Sequence, residues 1–556
     1  MADVFVELFD LQIAHDRLEK RLAFPRTRRV EIDVKRARPG FLAIFDDRIE
    51  FFERGLLFKP AKVELHLGLL RLRHVFSGYL FKKTHGKYIT VFKGKNMAEM
   101  FDLILKNGTA VTPGGVMETD IAVKDGRIAG FGSFSAAAEV IDCKNLHILP
   151  GVIDTQVHFR EPGLTHKEDL STGTLSAVAG GVTTVFEMPN TDPLTISAES
   201  LQDKLDRAEK RAWCDYAFFM GGCAENAADI AALEMLPGCC GVKIFMGSST
   251  GSLLAAQDDV ILSILKSGTR RVALHAEDED RLKARKYIAE ASHDVRDHPH
   301  WRDEETALKA VQRAVRLARQ AGRRIHLLHV TSAGEMDFLA RHKDIATVEV
   351  TPQHLTLSAP ECYERIGTLA QMNPPVRDKR HQEALWRSVQ NGTVDVIGSD
   401  HAPHTLEEKL KPYPASPSGM TGVQTMLPVM LDHVHKKNLS LERLVDLLAH
   451  GPQRIYQIAG KGRLAAGYDA DFAIVDLKKS RAITNKWIQS KCGWTPFDGM
   501  TVTGWVQGTV LRGKCAMWDD EILESPQGRV ARFQELLRPA APAPRRNATV
   551  PVIDCC

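Results

Sequence analysis

No apolar run in this 556-residue sequence approaches the roughly 20 residues that a membrane-spanning helix needs. The amino terminus, Met-Ala-Asp-Val-Phe-Val-Glu, is acidic and lacks the basic-then-apolar pattern of a secretory signal peptide. The net charge of +3 is small for this length, so the overall charge does not indicate nucleic acid or an anionic membrane as a partner. We therefore expect a cytoplasmic protein with neither of these partners.

The sequence also lacks the paired cysteine spacing of zinc knuckles and thiol redox sites. Its ten cysteines are widely spread and include no C-x-x-C pair. Cys239-Cys240 and Cys555-Cys556 are adjacent in sequence, which is a poor geometry for an ordinary disulfide. We predict reduced thiols in a reducing compartment.

The length and composition are those of a globular protein with more than one structural unit. Residues 1–96 differ from the rest, with about eight more basic than acidic side chains and a basic cluster from Arg26 to Arg38. Three interpretations of this N-terminal extension stay open: an anion-binding segment, a solvated or poorly ordered segment, and sequence upstream of a functional start near Met97 or Met100. We favour the last, because a regular pattern begins directly afterwards.

Short β-strands are predicted on both sides of the central region. Residues 101–108 and 120–132 alternate apolar and polar residues and contain Asn-Gly and Asp-Gly, which favour hairpin turns. Residues 469–476 and 502–513 show the same pattern near the other end. We predict one small β-sandwich domain built from residues 97–148 and 451–540, followed by a C-terminal tail at 541–556.

The central region, residues 149–450, alternates strand and helix patterns, which is typical of a parallel sheet built from βα units. Amphipathic helical runs cover Ala198–Arg211, Glu304–Gln320 and His381–Gln390. Eight strands are predicted, at residues 147–158, 182–188, 214–221, 240–246, 270–275, 323–330, 346–351 and 394–400. This number predicts an α/β fold with a (β/α)8 TIM-type barrel.

Polar side chains stand where these strands end. The first strand finishes in Asp154, Gln156, His158 and Arg160, whose alternating positions place them on one face. The later strands supply, in order, Asn190, Lys243, His275, His329, Asp400 and His404. Because the carboxyl ends of barrel strands form the active-site face, we predict that these residues share one pocket.

The predicted pocket has the donors of a metal site. His158, His275, His329 and Asp400 offer nitrogen and oxygen ligands that suit Zn2+ or a similar divalent ion. A cationic Lys243 would be repelled there, whereas a carbamate formed from its amine and carbon dioxide would bridge two ions. The alternative for Lys243 is an ordinary strand-end lysine whose amine reaches solvent. Two close ions would activate a shared water, and Asp400 would carry its proton to a leaving nitrogen, which suits hydrolysis or closure of an amide-type bond.

Residues from about 97 to 540 resemble a class I dihydroorotase of the amidohydrolase superfamily. The motifs that carry the resemblance are Asp154-Thr-Gln-Val-His-Phe-Arg-Glu-Pro-Gly163, Glu187-Met-Pro-Asn-Thr191, Gly241-Val-Lys-Ile-Phe-Met246, Leu274-His-Ala-Glu277, Leu328-His-Val-Thr-Ser332 and Gly398-Ser-Asp-His-Ala-Pro-His404. The resemblance implies reversible cyclisation of N-carbamoyl-L-aspartate to L-dihydroorotate in pyrimidine synthesis. It also implies one or two Zn2+ or other divalent ions per subunit and a carboxylated Lys243.

The resemblance also implies how the substrate is bound. Arg160, Asn190 and His404 would hold its carboxylate, for which arginine offers a planar fork of donors. Asn373, in Met-Asn-Pro-Pro, and Gly422, in the loop after strand eight, match positions close to the family's substrate. We further expect a homo-oligomer, with aspartate carbamoyltransferase as a candidate protein partner.

One position departs from the family's commonest pattern, because Gln156 replaces the first histidine of His-x-His. A glutamine carbonyl is a weak metal ligand, so the ion that it faces is expected to bind less tightly. The sequence therefore allows either one or two bound ions. Two other functions are considered: another cyclic amidase, such as an allantoinase or hydantoinase, and a non-catalytic partner of aspartate carbamoyltransferase. Such non-catalytic homologues have typically lost several ligands, whereas Lys243, His275, His329 and Asp400 are all present here.

Overall fold

The computed structural model describes residues 101–249 and 251–537, and only the backbone of six short strands before them. These strands are Val30–Ile32, Phe41–Phe45, Arg48–Phe52, Ala61–Val63, Leu80–Thr84 and Lys87–Val91. The chain divides into two compact units, Met1–Met97 and Ala98–Cys556. The predictions for the side chains of residues 1–96 and for the tail at 541–556 lie outside the described residues.

Eight parallel strands form a nearly closed barrel in the order of the chain. They are β1 (Val152–Val157), β2 (Val182–Glu187), β3 (Asp215–Gly221), β4 (Cys239–Phe245), β5 (Val272–His275), β6 (Ile325–Leu327), β7 (Ala346–Val350) and β8 (Val396–Ile397). The peptide N–H of His158 donates to the carbonyl oxygen of His401 at 2.7 Å, which links the end of β1 to the segment after β8. The predicted eight-stranded α/β barrel is confirmed.

Helices cover the outside of the barrel and fill its loops. They span Leu170–Ala179, Ala198–Ala208, Ile230–Leu233, Asp258–Ser267, Glu279–Arg285, Tyr287–Ser292, His298–Trp301, Glu304–Ala321, Ala333–Leu339, Pro352–Thr356, Glu361–Ile366, Lys379–Gln390, Leu406–Lys409, Met426–His435, Leu441–Val445, Gly451–Tyr456 and Gln534–Leu537. Single turns occur at Val295–Asp297, Gly367–Ala370, Asp446–His450 and Asn485–Trp487. The three predicted amphipathic runs match helices, each with one end at the same residue and the other shifted by one to three residues. In the described part of the chain, no helix combines the length and apolar character needed to cross a membrane.

Side-chain caps fix where several barrel helices begin. The hydroxyl of Ser332, three residues after His329, accepts from the peptide N–H of Glu335. The carboxylate of Glu335 in turn accepts from the peptide N–H of Ser332. This reciprocal arrangement satisfies peptide groups that the first helical turn leaves without partners. The segment between His329 and the helix that follows β6 is therefore short and held at both ends.

A second sheet contains nine strands from both flanks of the barrel. They are Leu103–Thr112, Gly115–Lys124, Arg127–Gly132, Glu139–Asp142, His147–Pro150, Phe472–Ala482, Thr501–Leu511, Lys514–Trp518 and Glu521–Ile522. The two flanks meet where His147–Pro150 pairs antiparallel with residues 472–475 and parallel with Thr109 and Ala110. All nine strands are hydrogen-bonded into one sheet, which contains strands from both flanks of the barrel. The finer prediction, that this sheet forms a β-sandwich, stays a prediction.

The single strand predicted at 147–158 is wrong, because Gly151 divides it. His147–Pro150 belongs to the flanking sheet and Val152–Val157 to the barrel. A side chain at Gly151 would collide with the side chains of Thr183 and Asp471, so only glycine allows this close approach between sheet and barrel. The residues after the break therefore enter the barrel with the register that brings Gln156 and His158 to its mouth.

The lower part of the barrel is filled with apolar side chains. A buried cluster takes Ile153 from β1, Phe186 from β2, Phe219 from β3 and Val396 from β8. The Phe186 ring packs edge-on against Tyr456, with ring centroids 5.2 Å apart. This cluster fills the interior of the barrel. The polar residues lie beyond it, at the carboxyl ends of the strands.

Candidate active site

One pocket opens at the carboxyl ends of the barrel strands. It is lined by Gln156, His158, Arg160, Asn190, Lys243, Phe245, Ser249, His275, His329, Asn373, Asp400, Ala402, Ser418 and Gly419. Nine of the twelve residues that the sequence placed at the pocket are in this lining, and Asp154, His404 and Gly422 are not. The prediction for Asp154 is wrong, because its carboxylate accepts from the peptide N–H groups of Ser399 at 3.0 Å and Gln156 at 3.1 Å. His404 lies behind Arg160, and the Gly422 peptide N–H donates to Nδ1 of His401 at 3.0 Å.

Three of the lining residues have left-handed backbone conformations that non-glycine residues rarely adopt. The φ angles are 64° at Arg160, 38° at His329 and 43° at Asp400. Such a conformation costs on the order of 1–3 kcal/mol per residue and persists where the surrounding structure enforces it, often at functional sites. Here it turns each side chain into the pocket immediately after a strand has ended.

Asp400 lies between two side chains from β1 and the segment after it. The amide nitrogen of Gln156 donates to Oδ1 of Asp400 at 3.0 Å, and Nε2 of His158 lies 3.3 Å from the same oxygen. Burial opposes ionisation of Asp400, but the contact with His158 outweighs it and holds the pKa of the carboxyl well below its usual range. The carboxylate is therefore ionised and fixed in direction.

The orientation of His158 leaves one ring nitrogen facing a negative charge. Its Nδ1 donates to Oδ1 of Asn190 at 2.8 Å, which places Nε2 towards Asp400. Burial lowers the pKa of His158 and the contact with Asp400 raises it, with burial the larger effect. The ring nitrogen and the carboxylate oxygen are both atoms that would bind a metal ion.

A second pair of nitrogens meets across the pocket. Nδ1 of His275 and Nε2 of His329 lie 3.0 Å apart, and burial lowers the pKa of both rings. The other nitrogen of His275, Nε2, lies 2.9 Å from Oε2 of Glu277, which in turn accepts from Arg302 at 2.5 Å. A carboxylate behind a histidine fixes its tautomer and leaves the opposite nitrogen as a ligand, an arrangement common behind metal-binding histidines.

Lys243 is fully buried, and its amine has no hydrogen-bond partner among the described residues. The amine lies 4.5 Å from the centre of the Phe245 ring. Burial lowers the pKa of Lys243 to about 7, so a large fraction of the amine is unprotonated near neutral pH. An unprotonated amine is the form that reacts with carbon dioxide to give a carbamate.

The residues of the pocket fit a divalent metal ion. The carbonyl oxygen of Gln156, the amine of Lys243 and Nδ1 of His329 are buried without hydrogen-bond partners among the described residues. Buried polar atoms are rarely left in this state unless an unseen ion, water or ligand satisfies them. Three imidazoles, one carboxylate and a carbamate-forming amine are the donor types that bind Zn2+ and similar ions.

Arg160 also lines the pocket. Only 2% of its surface is exposed, yet no carboxylate of the described residues forms an ion pair with it. Its Nε donates to the carbonyl oxygen of Pro403 at 3.1 Å, and one terminal nitrogen lies 3.2 Å from Nε2 of His404. Burial lowers the pKa of Arg160 to about 10, so the guanidinium stays charged at neutral pH. This buried cation therefore has no counter-ion among the residues that the structure describes.

Several lining residues were not found by sequence reasoning: Phe245, Ser249, Ala402, Ser418 and Gly419. Ser249 and Ser418 lie in loops beyond the ends of β4 and β8. The prediction used only residues at the carboxyl ends of the strands, so it did not reach these loops. Gly422 was predicted to lie close to the substrate, but Gly419, three residues earlier in the same loop, is the residue that lines the pocket. A side chain at Gly419 would collide with the carbonyl oxygen of Ala402, and its φ of 145° also favours glycine.

A separate group of carboxylates lies at the other end of the barrel. Asp215, Asp469 and Asp471 are close enough together to bind one ion. However, the amine of Lys461 lies 2.5 Å from Asp215, 2.5 Å from Asp471 and 3.3 Å from Asp469. These carboxylates together raise the pKa of Lys461 against the effect of burial. The ammonium group already supplies the positive charge, so we interpret this cluster as a structural ion-pair network.

Known proteins match most of the chain. The amidohydrolase family model matches residues 147–516. A dihydroorotase of Methanosarcina mazei is 34% identical over 446 residues, covering 77% of this chain and 97% of the relative. An allantoinase of Deinococcus radiodurans is 34% identical over 452 residues, covering 78% and 99%. The solved structure of an L-hydantoinase (dihydropyrimidinase) from Arthrobacter aurescens is 31% identical, with a TM-score of 0.74 and coverage of 78% of this chain and 100% of that chain.

Proposed function

Because the chain belongs to the amidohydrolase family and is a hydrolase that acts on cyclic amides, we propose that it is a metal-dependent dihydroorotase. The proposed reaction is the reversible cyclisation of N-carbamoyl-L-aspartate to L-dihydroorotate in pyrimidine biosynthesis. Dihydroorotase relatives match nearly their whole length, as the comparison with Methanosarcina mazei illustrates.

The observation that carries the substrate assignment is the buried guanidinium of Arg160, which forms no ion pair with a carboxylate of the described residues. A buried cation without a counter-ion costs several kcal/mol, on the order of what a buried pair loses when one partner is removed. L-dihydroorotate and N-carbamoyl-L-aspartate both carry a carboxylate that would pair with this group, whereas allantoin and hydantoin carry none. Arg160 therefore supports a substrate with a carboxylate on its ring.

His404 lies beside Arg160. Its Nδ1 accepts from the amine of Lys167 at 3.0 Å, and its Nε2 lies 3.1 Å from the carbonyl oxygen of Ser418. Burial and the neighbouring cations hold the pKa of His404 well below its usual range, so the ring is neutral. A neutral ring beside Arg160 leaves the charge of the guanidinium available to the substrate.

The metal would be held by His158, Lys243 as its carbamate, His275, His329 and Asp400. When bound, one or two divalent ions would lower the pKa of a water molecule and polarise the scissile carbonyl. Asp400 is ionised and fixed by Gln156, so it would accept the proton that the attacking water loses. The same carboxyl would then return that proton to the ring nitrogen as the amide bond breaks, and the reverse sequence closes the ring.

A second candidate is allantoinase activity. The allantoinase of Deinococcus radiodurans matches this chain at the same identity as the dihydroorotase of Methanosarcina mazei. An allantoinase shares the need for the metal ligands but gives no reason for the unpaired Arg160. Self-association and binding to aspartate carbamoyltransferase stay predictions from the sequence.

The test is ring opening of L-dihydroorotate, followed by loss of its ultraviolet absorbance. Metal-replete protein, supplied with Zn2+ and bicarbonate, is compared with chelator-treated protein, and allantoin and hydantoin are assayed in parallel. We expect turnover of dihydroorotate that depends on metal and exceeds turnover of the other two. Faster turnover of allantoin or hydantoin would contradict the assignment, and equal turnover after chelation would contradict the metal requirement.

A further inference from the structure

His298 lies outside the pocket but contacts one of its walls. It begins the short helix His298–Trp301 and is completely buried. Its Nε2 lies 3.0 Å from the carbonyl oxygen of Met372 and 3.0 Å from Oδ1 of Asn373, which lines the pocket. Its Nδ1 lies 3.4 Å from the hydroxyl of Tyr413.

These contacts determine where the ring proton lies. Burial, reinforced by the charge of Arg302, lowers the pKa of His298 to about 3, so the ring is neutral and carries one proton. The carbonyl oxygen of Met372 can only accept a hydrogen bond, so the proton must be on Nε2. Nδ1 is then an acceptor, and the hydroxyl of Tyr413 donates to it.

The position of this proton determines the direction of the Asn373 amide. The single Nε2–H group of His298 is shared between the carbonyl oxygen of Met372 and Oδ1 of Asn373, so the Asn373 carbonyl oxygen faces His298 and its NH2 group faces away. The opposite orientation would place two donors against each other and would turn the carbonyl oxygen towards the substrate. The atoms of an asparagine amide are distinguished by such hydrogen-bond networks.

We propose that His298 is a positioning residue that fixes the Asn373 amide so that its N–H donors face an oxygen atom of the bound substrate. Both the cyclic amide and its ring-opened acid present carbonyl or carboxylate oxygens, which need donors. The inference deepens the proposed function by assigning a role behind the same pocket. It requires that a cyclic amide binds there, and it does not require that this amide is dihydroorotate.

His298 also packs against aromatic rings, and this contribution must be separated from its positioning role. Its ring lies 5.7 Å from the Tyr413 ring and 5.8 Å from the Trp301 ring, both edge-on. His298→Phe keeps a ring in this space and removes the N–H donor. His298→Gln restores an N–H donor without the ring, so it separates the two contributions.

The experiment is a double-mutant cycle between His298→Phe and Asn373→Ala, measured as KM and kcat. The substrate is whichever of L-dihydroorotate, allantoin and hydantoin the wild type opens fastest, so failure of the dihydroorotase assignment leaves the cycle intact. We expect His298→Phe to raise KM on the order of tenfold with a smaller change in kcat, the size of one lost hydrogen bond. We expect no further increase in the Asn373→Ala background and partial recovery in His298→Gln.

His433→Phe is the matched control. His433 is also buried and hydrogen-bonded, to Thr356 at 3.0 Å, but it does not line the pocket. We expect a lower Tm for this variant with an unchanged KM. The proposal is overturned if Asn373→Ala leaves KM unchanged, if His298→Phe raises KM equally with and without Asn373, or if His298→Gln is no better than His298→Phe. If His298→Phe does not fold, the cycle with His298→Leu and His298→Gln decides by the same criteria.

Discussion

The side-chain amide of Gln156 donates to Oδ1 of Asp400 at 3.0 Å, and its carbonyl oxygen is buried without a hydrogen-bond partner among the described residues. Gln156 thus holds the proposed proton carrier with one end of its amide and offers a weak ligand with the other. A histidine at this position would offer a stronger metal ligand. It would also remove the amide N–H that donates to Asp400.

We therefore expect Gln156→His to retain more metal after dialysis against a chelator. The added imidazole supplies a nitrogen ligand beside His158, so a second equivalent of Zn2+ should be held more tightly. Metal content by mass spectrometry checks this, with Gln156→Asn as the control that lacks an imidazole. Equal retention by the two variants would show that position 156 does not face a metal ion.

Arg160→Met should separate substrates by charge. If Arg160 binds a carboxylate, its loss removes charged hydrogen bonds worth about 1.5–3 kcal/mol, or roughly a 10- to 150-fold decrease in kcat/KM for dihydroorotate. Any turnover of allantoin or hydantoin should change little. Arg296→Met, an exposed arginine paired with Asp294, serves as the control. A uniform loss on all three substrates would mean that Arg160 supports the pocket structurally.

Glu277→Gln should weaken metal binding. Glu277 lies 2.9 Å from the nitrogen of His275 that faces away from the pocket, and loss of such a carboxylate typically costs 10- to 100-fold in metal affinity, as an order of magnitude. Competition with a chromophoric chelator measures the affinity for Zn2+. Glu279→Gln is a matched control, because Glu279 binds Ser248 rather than a histidine. Equal affinities in the two variants would argue against this role for Glu277.

The buried histidines predict loss of stability in acid. Burial lowers the pKa of His433 to about 4 and that of His298 to about 3, against about 6.5 in an unfolded chain. Between these values the unfolded state binds a proton that the folded state does not. Each such histidine should therefore lower the free energy of unfolding by about 1.4 kcal/mol per pH unit as the pH falls below about 6.5. Stability should be unaffected by these groups above that pH.

Urea unfolding at pH 5 and pH 7 measures whether the free energy of unfolding falls in acid, as predicted. The wild type should lose stability at pH 5, and His433→Gln should lose less, by the contribution of about one proton. An equal loss of stability in both proteins would show that His433 takes up no proton on unfolding, which contradicts the prediction.

The strand ends explain why much of the pocket could be predicted from the sequence. His158, His275 and His329 lie at or just beyond the ends of parallel strands, and parallel strands bring their carboxyl ends to one edge. The order of these residues along the chain therefore predicted their meeting. The break at Gly151 could not be predicted in this way, because it results from the close approach of Thr183 and Asp471 from other segments.

Contacts between loops that are far apart in the sequence also could not be predicted. Glu277 was noted in a motif, but Arg302 behind it lies 25 residues away, with no periodic pattern joining the two. His298 stands in a segment that no strand or helix pattern marked, and Asn373 reaches it from 75 residues further on. Such pairs depend on how loops pack, and loop packing follows from the whole barrel rather than from local sequence.

The charge cluster under the barrel has a consequence for dividing the protein into fragments. Asp215 begins β3, whereas its cationic partners, Lys461 and Arg512, come from the segments that build the flanking sheet. A barrel expressed without residues 451–537 would keep the buried carboxylate and lose both counter-ions, a change that costs several kcal/mol, on the order of 3–5 kcal/mol for one broken buried pair. Barrel and sheet should thus unfold in a single cooperative transition, and a fragment that contains only one of them should be destabilised.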